Sequence, residues 1–116
     1  MKKYLIIMQH APYESSLALE GLELTLAIAA FDQDVSLLFR GAGILQLLQN
    51  QHPNPLAYKD FTKAYTGLSL FGITDVYVCQ DSLAGYNNPD LIIQPKIVDN
   101  LNIATLIKQH DIVLNV

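Results

Sequence analysis

Cysteine is almost missing from this chain: its 116 residues contain one, Cys79. A lone thiol closes no internal disulfide and furnishes no cysteine-rich metal site, which fits a reducing compartment. Basic residues are scarce as well. One arginine, Arg40, and six scattered lysines face 11 acidic residues, for a net charge of −4. Nucleic-acid binders cluster Lys and Arg to neutralise phosphates, so no direct nucleic-acid contact is expected. Long apolar runs are also absent. Stretches such as Leu26 to Phe31 fall far short of the roughly 20 residues that a bilayer span requires. The opening Met1 to Met8 starts like a signal peptide, but it breaks at Gln9-His10 with no small-residue cleavage site after it. It reads instead as the first strand of a soluble, cytoplasmic protein.

Charged residues make up only 16% of the chain and hydrophobic ones 51%, against roughly 25% charged in typical soluble domains. The length suits one domain, 1–116, with a core of its own. Polar groups are too few to cover so small a monomer, and large exposed apolar patches mark interfaces. A subunit of a larger assembly is therefore expected.

Short apolar runs alternate with helical segments. Strands are expected near 4–9, 34–40, 75–79 and 111–115, with a short one near 96–98. Between the first two, Ser15 or Ser16 caps a helix running to about Phe31. That helix is apolar on most sides, with Glu20, Glu23 and Thr25 as its narrow wet face. Gly41-Ala42-Gly43 opens a short segment over Ile44 to Leu48, and a two-proline loop spans Gln49 to Pro55. A third helix, about Leu56 to Phe71, turns Leu56, Phe61, Tyr65 and Leu68 inward and Lys59, Asp60 and Lys63 outward, until Gly72 stops it. A short helix carries Ser82 and ends near Gly85. Asn100 caps a last helix from Leu101 to about Gln109. Continuous apolar strands separated by helices indicate a mostly parallel sheet covered on both faces, a three-layer α/β/α architecture.

Cys79 ends the third strand, where open α/β sheets present their chemistry. The helix after it aims N–H groups towards the sulfur, which favours thiolate. Burial and the neighbouring Asp81 act the other way, and free cysteine is usually a small buried hydrophobe. His10 follows the first strand and is the one candidate cationic partner on the same edge. His10, His52 and His110 lie apart with no carboxylate at a ligand spacing, so no metal site is expected. Arg40-Gly41-Ala42-Gly43 resembles a phosphate-binding turn without the third glycine of a dinucleotide fingerprint or the lysine of a P-loop. Its glycines read as tight-turn residues, and no cofactor is expected.

Ala11-Pro12-Tyr13, Ala29-Ala30-Phe31-Asp32-Gln33-Asp34-Val35 and Gly43-Ile44-Leu45-Gln46-Leu47-Leu48 follow one another at family-like spacing. Leu68 to Ile73 then leads into Val76-Tyr77-Val78-Cys79-Gln80-Asp81-Ser82-Leu83, and His110-Asp111-Ile112-Val113-Leu114 closes the chain. In this order, over essentially the full length, they resemble the TusC/DsrF family of DsrE-like proteins. Glu14-Ser15-Ser16 stands where the family has a small glycine-containing turn, and Asn115-Val116 replaces an aromatic finish.

The resemblance implies a DsrE-like fold with about five strands and a place in a cytoplasmic sulfur-relay complex. Homologous B and D subunits (DsrH- and DsrE-like) would join this chain in a dimer of heterotrimers. That complex takes persulfide sulfur from a TusA-like carrier towards a TusE-like one, for 2-thiolation of the tRNA wobble uridine. The related Dsr complex serves sulfur oxidation. The family's persulfide cysteine is assigned to the D subunit, which implies an accessory, structural role here. Cys79 stands after the same strand, so a sulfurtransferase with Cys79 as carrier is the alternative. A flavodoxin-like binder of a small anion at Arg40–Gly43 is the third reading.

Overall fold

The computed structural model describes residues 2–49 and 61–116. Five strands form one all-parallel sheet: β1 (Lys3–Met8), β2 (Asp34–Phe39), β3 (Asp75–Cys79), β4 (Lys96–Val98) and β5 (Ile112–Asn115). Their order across the sheet is β4-β3-β2-β1-β5. Each chain segment of the apolar pattern thus became a strand, and each crossover stayed parallel as helix-length connections demand.

Alternation along the central strands divides two cores. Ile6 and Met8 of β1, with Val35, Leu37 and Phe39 of β2, face the layer that holds α1 (Leu17–Ala29) and two 3-10 segments, Gly41–Leu47 and Thr62–Phe71. Leu5, Ile7 and Leu38 face the other way, under Ile103 and Leu106 of α3 (Asn100–Lys108). β4 and β5 occupy opposite edges, so α3 carries the chain across that whole face. The short α2 (Gln80–Gly85) follows β3 directly.

Local chemistry sets the ends of these elements. Gly72 ends its segment at φ +77°, and the next N–H, of Ile73, returns to the Leu68 carbonyl at 3.2 Å; glycine adopts that left-handed conformation without a Cβ clash. The segment it ends is 3-10 rather than an α-helix where it is described. Gly67, Thr62 and Thr66 lie within it, and glycine and β-branched residues are weak helix formers. Tyr65 and Leu68 point inward as expected and Lys63 outward, whereas Leu56, Lys59 and Asp60 lie outside the described residues. α3 is capped by Asp99, not Asn100: the Asp99 carboxylate accepts from the Asn102 N–H at 2.8 Å. At α1 neither serine caps through its side chain onto the second or third turn residue. Ser16 holds the N-cap position without such a bond, and Ser15 Oγ accepts from Leu17 N at 3.3 Å.

Thr25 corrects the expected wet face of α1. It is fully buried, with its hydroxyl donating to the Gly21 carbonyl at 2.8 Å. That bond satisfies the hydroxyl within its own helix, so the residue can face the core.

Candidate functional site

Cys79 is the last residue of β3 and the N-cap of α2. Its side chain belongs to the α3 face of the sheet, among Leu5, Ile7, Leu38, Ile103 and Leu106, beside Val98 of β4. Only 3% of the residue is exposed. The sulfur thus sits at the carboxyl edge of the sheet, as its sequence position requires, but beneath a helix. A partner's persulfide cannot reach it without displacing α3 or α2.

The residues around Cys79 are engaged with one another. Asp81 accepts from the Asn100 side-chain amide at 3.0 Å, which ties α2 to the start of α3. Ser82 Oγ accepts from the Gly41 N–H at 2.8 Å, which ties α2 to the turn after β2. In that turn Arg40 N donates to the Met8 carbonyl and Gly43 N to the Arg40 carbonyl. Three of its four N–H groups are thus committed to the protein's own oxygens, whereas a phosphate cradle needs them pointing free. Gly41 stands at φ +55°, and a Cβ on Gly43 would lie 2.0 Å from the Met8 carbonyl oxygen. Both glycines serve the close crossing of β1 and this turn.

His10 is exposed on the loop after β1. β2 separates β1 from β3, so strand spacing alone puts His10 and Cys79 roughly 10 Å apart. The structure records no contact between them. His110 sits at the far end of α3, with Nδ1 2.6 Å from the Leu106 carbonyl; His52 lies outside the described residues. Among the described residues, no three His, Cys, Asp or Glu side chains are grouped to hold a metal ion. Glu20 and Glu23 are solvent-exposed on α1.

Gln46 was not singled out by its sequence, yet it is fully buried and organises the loop beside the sheet edge. Its amide donates to the His10 carbonyl at 2.9 Å and its oxygen accepts from the Tyr65 hydroxyl at 2.5 Å. Tyr65 in turn packs edge-to-face on Phe39, with ring centroids 5.2 Å apart. Burial pushes the Tyr65 hydroxyl well above the ordinary tyrosine pKa. The available signal was a lone glutamine inside the apolar run Ile44 to Leu48.

The DsrE/DsrF-like family model matches residues 2–116. "Protein TusC" of Buchnera aphidicola subsp. Acyrthosiphon pisum is 32% identical over 99% of both chains. "Intracellular sulfur oxidation protein DsrF" of Allochromatium vinosum is 37% identical over 79% of this chain and 69% of its own. The crystal structure of the ychN protein from E. coli superposes with a TM-score of 0.85 over the whole of both chains, at 22% identity. That last likeness concerns the fold alone.

Proposed function

Since the chain belongs to the DsrE/DsrF-like family, we propose that it is an accessory subunit of a cytoplasmic sulfur-relay complex. It shapes the complex and its docking surface rather than carrying sulfur itself. Its neighbours are homologous B and D subunits in a dimer of heterotrimers, with TusA- and TusE-like carriers exchanging sulfur through the complex. The pathway is 2-thiolation of the tRNA wobble uridine, in keeping with full-length similarity to proteins named TusC. The whole chain, 1–116, acts as one domain in this reading.

The single observation that carries the accessory role is the burial of Cys79 under α3. Sulfur transfer onto a cysteine requires the thiolate to attack the outer sulfur of a donor persulfide. A new S–S bond then forms at the cysteine as the donor's S–S bond breaks and its thiolate leaves. A sulfur packed among Leu5, Leu38 and Ile103 has no room for that in-line approach. Cys79→Ser should therefore leave assembly and most tRNA thiolation intact. The check is persulfide loading of the co-purified complex, mass spectrometry of the intact subunit and a tRNA 2-thiolation assay of the mutant. Stoichiometric persulfide on Cys79, together with lost thiolation in the mutant, would instead make the chain a sulfurtransferase.

The placement of Cys79 at the end of β3 favours that carrier role as a second reading. The similarity to a DsrF protein likewise keeps sulfur oxidation as the other pathway. Co-expression with the neighbouring genes, followed by native mass measurement, identifies the sister subunits, and the tRNA 2-thiolation assay of the complex separates the two pathways.

A further inference from the structure

Far from Cys79, the same face of the sheet changes character. Inward positions of a parallel sheet covered by helices are normally apolar. Towards the amino ends of the strands, however, this face presents Lys3, Asp34, Ser36, Asp75 and Tyr77. Register places them side by side: Lys3 beside Asp34, Ser36 beside Asp75, and Tyr77 beside Lys96. A cavity of about 400 Å³ opens between this row and the end of α3, where His110 lines it.

We propose that this cavity binds a small organic cation bearing a primary ammonium or guanidinium group. Ser36 carries much of the case. It is only 4% exposed and borders the cavity, yet among the described residues its hydroxyl makes no hydrogen bond. Buried polar groups are normally paired, and no buried side-chain atom of the described residues lacks a partner. The Ser36 hydroxyl must therefore open into the cavity and be satisfied from there.

The groups around that hydroxyl are chiefly acceptors. Asp34 forms no ion pair or side-chain hydrogen bond among the described residues. Asp75 binds Lys96 Nζ through Oδ1 at 3.0 Å, which leaves its other oxygen available. His110 Nδ1 faces the Leu106 carbonyl, so in the neutral ring Nε2 is left as an acceptor. The carboxyl end of α3 adds the negative end of its dipole, its Thr105, Leu106 and Ile107 carbonyls being taken by Gln109 and His110. Exposed Lys3 is the one permanent cation among the lining residues. A donor-rich cation matches this set. A metal ion does not, because no three His, Cys, Asp or Glu groups converge among the described residues.

The test titrates the full chain, in the assembly in which it purifies, with agmatine, which carries both cationic groups. Calorimetry gives the affinity and nitrogen-15 NMR the location. Saturable binding is expected, with shifts centred on the Ser36, Tyr77 and His110 amides. Asp34→Asn and Asp75→Asn should each weaken it roughly tenfold or more, the loss of one charge-assisted hydrogen bond. Ser36→Ala, the mildest change and the one that decides if the others misfold, should weaken it about fivefold. Glu23→Gln on α1 should leave it unchanged. No saturation at about 10 mM agmatine, beyond the weak end of specific affinities, overturns the proposal. So does an equal response to sodium chloride or succinate, or unchanged affinity in Ser36→Ala.

Discussion

At the scale of the residue, small positions decide more than the reactive one. The Cβ of an alanine at position 43 would stand 2.0 Å from the Met8 carbonyl oxygen, so the backbone itself must move. Gly43→Ala should destabilise the chain by about 3 kcal/mol, the upper range for overpacking, measured as a shift of the urea midpoint at unchanged slope. Tyr65 gives a pH signature. Burial raises its pKa above the ordinary 10.0, so the folded state keeps a proton that the unfolded state loses. Its contribution is fully present below about pH 10 and is lost as pH climbs above that value. The melting temperature should fall more steeply between pH 10 and 11 in the parent chain than in Tyr65→Phe.

Legibility at this scale was uneven. The position of Cys79 at the end of a strand followed from its place between an apolar run and a helix start. Its burial was expected too, since free cysteine is usually buried, but not what covers it: α3 is brought there only by the crossing of the chain from one sheet edge to the other. Gln46 and Ser36 were invisible for a related reason: each is polar inside an apolar stretch, and only tertiary packing shows what it faces.

Among elements, the strands were the most legible, since central parallel strands are buried on both faces and write that burial as continuous apolar sequence. Helix ends were less so. A run such as Val98-Asp99-Asn100-Leu101 offers two capping side chains one residue apart, and backbone geometry selects Asp99, whose ψ of 176° turns its carboxylate onto the Asn102 N–H. Asp99→Ala should destabilise the protein by about 1 kcal/mol. Asn100→Ala removes only the exposed bond to Asp81 and should cost less. Chemical denaturation of the two variants in parallel distinguishes the caps. The face of α1 was read correctly for Glu20 and Glu23 and wrongly for Thr25, because a threonine satisfied by its own helix behaves as an apolar residue.

For the whole molecule, the shortage of charge finds its counterpart on the surface. Leu17 and Leu24 stand seven residues apart on one stripe of α1, and Phe31 lies in the turn just beyond its end. They are 45%, 37% and 79% exposed, so the chain's own core leaves them uncovered. The apolar stretch after Gly41 is instead consumed by the fold: Ile44 and Leu47 are wholly buried. At the carboxyl ends of β1 and β5, where strand order reverses and open α/β sheets usually hold a ligand, Gln9 pairs with Asn115 at 3.0 Å and Val116 packs against Gly21. With that crevice filled and the thiol covered, the apolar surface of α1 and the turn after it is the feature most suited to the assembly role proposed above. Replacing a largely exposed apolar residue of this surface should spare folding and break association. Phe31→Ser is therefore expected to keep the parent melting temperature within the small range of surface substitutions, about 0.5 kcal/mol, while shifting the co-expressed complex towards free subunits on size-exclusion chromatography. Leu22→Ser, on the buried side of α1, should do the reverse and lower stability first. A Phe31→Ser chain that still co-purifies at full stoichiometry would move the interface off α1, to the exposed Leu70 and Phe71 at the same end of the sheet.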